Sequence, residues 1–176
     1  DGMTGERTLT LRVSGAEGPV PYAIRKADEG YEGTVEMPGI HGVYHGTGLD
    51  EVRLEGITHF IVEGEPGDKR AAEARLRELA GERTEPALGL LFWNVKKSFM
   101  TPLVYVRESD TMVWETGCGS GSTAIGARNA LAGDGETAVR QPGGTIRVRA
   151  EVSEGRVDRI TITGHIMIRE EAEIEC

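Results

Sequence analysis

The chain has 176 residues with a formal net charge of -9, and 38% of it is hydrophobic while only 5% is aromatic. That length makes one ordinary domain, or two small ones, with a real core. No apolar run reaches the roughly 18 residues that cross a bilayer, the N-terminal DGMTGERTLT lacks a signal-peptide pattern, and a negative balance without a Lys/Arg block argues against nucleic acid or an anionic membrane as main partner. The expectation is a soluble, cytoplasmic protein. Two cysteines, Cys118 and Cys176, are too few for a disulfide scaffold and suit a reducing compartment. The 25 glycines are scattered through strand-like sequence, which points to many tight turns.

In chain order, Thr8–Val13 alternates side-chain character and stops at Ser14-Gly15, the pattern of a half-buried strand. Strands are expected again at Val20–Lys26, Tyr31–Met37, Leu49–Leu54 and Ile57–Glu63. From Asp68 to Arg83 the period changes. Ala71, Ala72, Leu76 and Leu79 form one stripe, with Asp68 as cap or first-turn anion, so a surface amphipathic helix is expected there. Strands follow at Leu88–Val95, Leu103–Arg107 and Thr111–Glu115.

A glycine-rich segment, Glu115–Ser122, then leads into Thr123–Ala132, which is small and apolar nearly all round and reads as a buried helix stopped by Gly133. Thr145–Val152 and Val157–Thr163 flank Ser153-Glu154-Gly155-Arg156 as a β-hairpin, and Ile166–Glu170 reads as one more strand. The fold class is α+β, with strands curled around one central buried helix and a second helix on the surface.

Cys118 sits where a strand meets the buried helix, inside Gly-Cys-Gly-Ser-Gly. Uncovered amides at a helix start favour a thiolate and dock a carboxylate. A thiolate beside a bound carboxylate is placed to take the proton from the adjacent carbon. Glu115 stands three residues before the cysteine. His59 interrupts an apolar strand and reads either as a hydrogen-bonded core residue or as an orienting base for the thiol.

His41 and His45 have a metal-pair spacing only if helical, and surrounding glycines argue against a helix, so no metal site is expected. Gly117–Gly121 lacks the third glycine and the βαβ unit of a dinucleotide loop. Ser120 falls one place late for a nucleophile elbow.

The run Glu115–Gly121, the small-residue helix after it, Gln141-Pro142-Gly143-Gly144-Thr145-Ile146 and Ile162-Thr163-Gly164 resemble, in order and separation, the C-terminal half of diaminopimelate epimerase and its relatives, pyridoxal-independent amino-acid racemases. Gly56–Val62 resembles the family's Asn-Pro-His strand, with His59 at its histidine. The resemblance implies a two-domain enzyme without a cofactor. Each domain has a central helix carrying one cysteine; one thiolate removes the α proton and the opposite thiol returns one. It implies that Cys118, Glu115 and His59 are the catalytic residues of this half. Gly119, Ser120, Gly121 and Ser122 are then expected to bind the substrate carboxylate, with Thr58 and Thr116 completing the substrate-binding set.

Residues 1–25 read as the end of a missing N-terminal domain or a crossover strand, and residues 26–176 as the epimerase-like domain. The second cysteine would come from that missing domain, from another chain, or from a self-complementing homodimer, and this chain alone would be inactive. Thr116 replaces the family's arginine that holds a distal carboxylate, so diaminopimelate is disfavoured and the pattern is closer to histidine racemases. The alternative is a phenazine-biosynthesis-type isomerase or a non-catalytic domain that binds a carboxylate ligand. Cys176 reads as part of a solvated tail.

Overall fold

The computed structural model describes residues 7–12 and 18–167. In chain order these form β1 (Arg7–Leu11), β2 (Val20–Lys26), β3 (Tyr31–Glu36), β4 (Ile40–Tyr44), β5 (Asp50–Leu54) and β6 (Ile57–Glu63), then α1 (Lys69–Gly81), β7 (Ala87–Asn94), β8 (Phe99–Val106) and β9 (Thr111–Trp114). After these come α2 (Gly119–Leu131), β10 (Glu136–Gln141), β11 (Gly144–Ser153) and β12 (Arg156–Ile166). The strands form one sheet in the order β1-β2-β3-β12-β11-β10-β8-β7-β6-β5-β4, with β9 against β8.

The sheet curls around α2. That helix buries Ala124, Ile125 and Ala127 completely, and it packs against strands on both limbs of the curl. Its small side chains are what let strands approach from several sides. At Gly126 even a methyl group would run into Val148 of β11. The sheet's other face carries α1, which lies between the parallel strands β6 and β7. Asp68 caps α1 by accepting from the Arg70 amide at 3.0 Å. Ala72, Leu76, Leu79 and Ala80 pack on Phe60, Leu88, Leu90 and Leu103. β6 and β7 therefore have helices on both faces, which explains why they read as nearly continuous apolar runs rather than alternating ones.

The α+β class, both helices, their inside and outside placement, and the hairpin are as expected. Ser153 pairs with Arg156 across Glu154-Gly155, both at positive φ (49° and 72°), the geometry of a two-residue hairpin turn. Two strands were not expected. β4, Ile40-His41-Gly42-Val43-Tyr44, is hidden by its histidines and glycine. β10 follows a turn and shows only three inward residues, Thr137, Val139 and Gln141.

Met37 and Leu49 lie just outside strands. β8 starts at Phe99, four residues before the expected Leu103, because it pairs along the full length of β7. The glycine-rich segment after Cys118 is not a loop leading to the helix but the helix's first turn. Ile166 ends β12, while residues 168–170 of the last expected strand, Val13 of the first, and Cys176 lie outside the described residues. The expected division after residue 25 falls inside β2, which pairs with β3 and through it with β12. No helix among the described residues is long and apolar enough to cross a membrane.

Candidate active site

The site is built at the N-terminus of α2. Cys118 is the N-cap: its extended backbone (φ -129°, ψ 108°) turns the chain from the β9 connection into the helix, and its Sγ accepts from the Gly121 amide at 3.3 Å. The thiol takes the capping role usually given to Ser or Asp. Gly121 fits closely beside it, since a Cβ there would lie 3.1–3.2 Å from Cys118 Sγ, Leu91 and Met100.

A buried amide clasp holds the cap. Gln141, at the end of β10, accepts from the Cys118 N–H at 2.6 Å and donates from Nε2 to Ser122 Oγ at 2.8 Å. Ser122 Oγ in turn donates to the Cys118 carbonyl at 2.7 Å. Gly143, two residues beyond Gln141, donates its amide to the Thr116 carbonyl at 2.7 Å. The Gln-Pro-Gly-Gly turn thus grips both sides of the cysteine. Gln141 was visible in the sequence as part of a motif, but its role was not; the inward alternation of Thr137, Val139 and Gln141 is the signal that could have revealed it.

His59 reaches the site from β6, on the face shared with Ile57 and Ile61. Its Nε2 lies 3.0 Å from Ser120 Oγ, and that hydroxyl lies 3.6 Å from Cys118 Sγ. Ser120 therefore bridges imidazole and thiol. The imidazole is wholly buried, burial lowers its pKa to about 3, and Nδ1 has no partner among the described residues. His59 is neutral at physiological pH, so the bridge is a hydrogen-bond relay rather than an ion pair. Gly89 on β7 makes room for the ring: a Cβ at that position would overlap it.

Cys118 is only 5% exposed, and its pKa is pushed up to about 12, first by burial and then by the neighbouring Glu115 carboxylate. The Ser120 hydroxyl and the Gly121 amide pull the other way but lose. This corrects the expectation that the helix start would favour a thiolate. Desolvation and a neighbouring negative charge outweigh the half-charge of the helix end. Glu115 Oε2 is buried and has no hydrogen-bond partner among the described residues.

The expected site residues divide clearly. Cys118, His59, Ser120, Gly121, Ser122, Gly119 and Glu115 are gathered at one point, and Thr116 is exposed at its edge. Thr58 is not brought there. It lies on the opposite face of β6 from His59, with Oγ1 donating to Glu85 Oε1 at 3.2 Å beneath α1. Adjacent residues of a strand point to opposite faces, and His59 holds the inner one. Ser122 is fully buried and satisfied by Gln141 and the Cys118 carbonyl, so its hydroxyl supports the turn.

Among the described residues, Gly119 and Ser120 are left as the backbone N–H donors at this helix start that serve no protein acceptor. Free amides at a helix start are donors that an anion can accept from, and these two lie next to Sγ. His41 lies on β4, and His45 follows it with its Nδ1 3.2 Å from Asp50 Oδ1. Among the described residues no three His, Cys, Asp or Glu side chains gather as a metal would need.

A curled sheet around a buried helix is the diaminopimelate-epimerase-like fold. Two solved structures share it: a predicted epimerase of Pseudomonas aeruginosa (TM-score 0.66, 13% identity, covering 98% of this chain and 68% of that one), and a phenazine biosynthesis protein of the PhzF family from Bacillus anthracis (TM-score 0.59, 15% identity, 90% and 65%).

The model of the histidine racemase CntK N-terminal domain matches residues 2–174, and the chain belongs to that family. That description names the N-terminal domain, whereas the motif order resembles the C-terminal half of diaminopimelate epimerase. The family is what the match establishes. The chain is 27% identical over 160 residues to the histidine racemase of Staphylococcus aureus, covering 83% of this chain and 58% of that protein. It is 31% identical over 81 residues to the histidine racemase of Fusobacterium nucleatum, covering 44% and 31%. It thus spans little more than half the length of the first of these relatives.

Proposed function

We propose that this chain is one half of a cofactor-independent amino-acid racemase in which Cys118 exchanges a proton with the α carbon, histidine being the favoured substrate. The observation that carries this reading is the placement of a buried thiol directly beside two unengaged amides, Gly119 and Ser120. A substrate carboxylate held by those amides brings its α carbon within reach of Sγ, which is the positioning that proton abstraction next to a carboxylate demands.

At neutral pH Cys118 is the protonated partner. A base on a complementary half takes the α proton from one face; the S–H bond of Cys118 breaks as a new C–H bond forms on the other, leaving a thiolate. In the reverse direction that thiolate is the base. The Gly121 amide and the Ser120 hydroxyl, backed by His59, are the donors that stabilise it. Glu115 opposes it and so keeps the thiolate basic. Histidine is favoured by the family match and by Thr116, which offers no fixed guanidinium for a distal carboxylate.

The test is deuterium incorporation at the α carbon of L-histidine in heavy water, with chiral separation of the product, using the native protein with and without Cys118→Ala. Exchange and racemisation abolished by the substitution are expected, with the isolated 176-residue chain inactive. Exchange undiminished in Cys118→Ala, or none on any amino acid, refutes the reading.

A further inference from the structure

Gly164 closes the Ile162-Thr163-Gly164 motif, and nothing in the fold requires a glycine there. It lies inside the eleven-residue β12, paired with Ile146 on one side and Gly33 on the other, with no bulge at that point. Its backbone is outside the left-handed region. A Cβ built on it would meet nothing within 4 Å among the described residues. Neither a turn nor close packing accounts for the glycine, and a glycine in a strand interior costs stability. Gly33 beside it differs: the Ile166 side chain fills its place, with Cδ1 2.7 Å from where a Cβ would be.

The place of Gly164 follows from how β12 crosses α2. Residues 155–158, where the strand begins, share a cavity wall with Leu131, the last residue of α2. Further along, Ile160 is buried in the core around the helix, and Ile162 Cδ1 lies 3.3 Å from where a Cβ on Gly119, the helix's first residue, would be. Residues two apart on a strand share a face, so Gly164 is the next inward position, about 7 Å further on. That puts it past the helix start, beside the open amides of Gly119 and Ser120. On the same face its bare backbone is bordered by Ile162 and Ile166 along β12 and by Ile146 across on β11. Thr163 and His165 face the other way, as do Arg147 and Glu32, which pair with each other.

We infer that this glycine-floored notch seats the side chain of the substrate, and that Gly164 sets which side chains fit: flat, uncharged ones, such as a neutral imidazole, lying on bare backbone between isoleucines. The inference rests on the reading of the chain as an amino-acid racemase and deepens it. A carboxylate on the Gly119 and Ser120 amides leaves the side chain to reach outward past the helix start, where the notch lies. A flat ring there buries its face on the peptide plane and its edges against Ile146, Ile162 and Ile166. A charged distal group would lose its water among those isoleucines without gaining a partner, and a side chain on residue 164 itself would lift the ring off its floor.

Gly164→Ala and Gly164→Val in the native protein test this. L-histidine and L-alanine are supplied together in heavy water, deuterium incorporation at each α carbon gives their relative kcat/KM, and calorimetry gives histidine binding. The ratio of histidine to alanine is expected to fall about tenfold in Gly164→Ala and further in Gly164→Val. Tm should hold or rise in Gly164→Ala, since the strand does not need the glycine. An unchanged ratio in both folded variants overturns the inference and leaves the racemase reading in place. A fall in Tm of several degrees in Gly164→Ala also overturns it, by showing that the fold requires glycine there. Histidine binding that weakens stepwise through the two variants, without exchange on any amino acid by the wild type, keeps the notch and removes the racemase reading. A wild type that neither binds nor exchanges histidine overturns both.

Discussion

Replacing Glu115 by Gln removes a negative charge beside the Cys118 thiol without changing the size of the side chain, and the thiol should then ionise at lower pH. With its pKa at about 12, Cys118 holds roughly one thiolate in 10^5 molecules at pH 7, against about one in 30 for an ordinary cysteine. Alkylation by iodoacetamide follows the thiolate, so in the wild type the rate at the Cys118 peptide, read by mass spectrometry, should climb tenfold per pH unit from about pH 7 to 10 without a plateau. In Glu115→Gln the rate at a given pH should rise and the profile should shift down the pH scale. Burial, the larger cause, is untouched, so the thiol should remain above the ordinary range. The slope of the profile is the readout, because poor access to a buried sulfur lowers the rate equally at every pH. A wild-type plateau below about pH 9, or slower alkylation of Glu115→Gln, would refute the electrostatic reasoning. The same raised pKa has a stability consequence: what it contributes is complete below the ordinary thiol pKa and is lost as pH rises toward about 12.

Three further outcomes follow from the geometry. Gly89→Ala places a methyl group 2.0 Å from Nδ1 at the edge of the His59 ring; a loss of about 1–3 kcal/mol is expected, read as a fall in Tm of several degrees, together with loss of the His59–Ser120 contact by NMR. Gln141→Met strands the buried Cys118 amide, while the Ser122 hydroxyl loses the bond it accepts but keeps the one it donates to the Cys118 carbonyl; a cost of about 1–3 kcal/mol in urea unfolding is expected, whereas no change in the midpoint would show that the clasp holds nothing. The buried neutral His59, depressed to about 3, makes stability complete above its unfolded pKa near 6.5 and lost as pH falls toward 3, about 5 kcal/mol over that window. His59→Gln should flatten that acid limb relative to wild type in pH-dependent thermal unfolding.

Period and punctuation in the sequence were enough for most elements. The stripe Ala72-Leu76-Leu79 with Asp68 before it could only be a one-sided helix, and a segment small on every side, Thr123–Ala132, could only be a helix that strands enclose. The site's centre was legible for a similar reason: a cysteine among glycines at a strand-to-helix junction is local information. β4 and β10 were not legible, since the first alternates histidines and glycine with only Ile40, Val43 and Tyr44 to mark it, and the second has only three inward residues, two of them polar, and is held along its length by pairing with β11.

Local pattern also fixed that His59 would interrupt an apolar strand, but only the tertiary structure decided which face it takes. That face choice joins His59 to Ser120 across 61 residues and sends Thr58 to Glu85 instead. The protonation state of Cys118 was likewise a tertiary property. A helix start by itself argues for a thiolate, whereas the enclosing strands and Glu115 remove water and add charge, and their sum reverses the sign. Sequence determines which groups are present and how each segment repeats; the curl of the sheet decides which of them share a dielectric, and the chemistry of the thiol is set there.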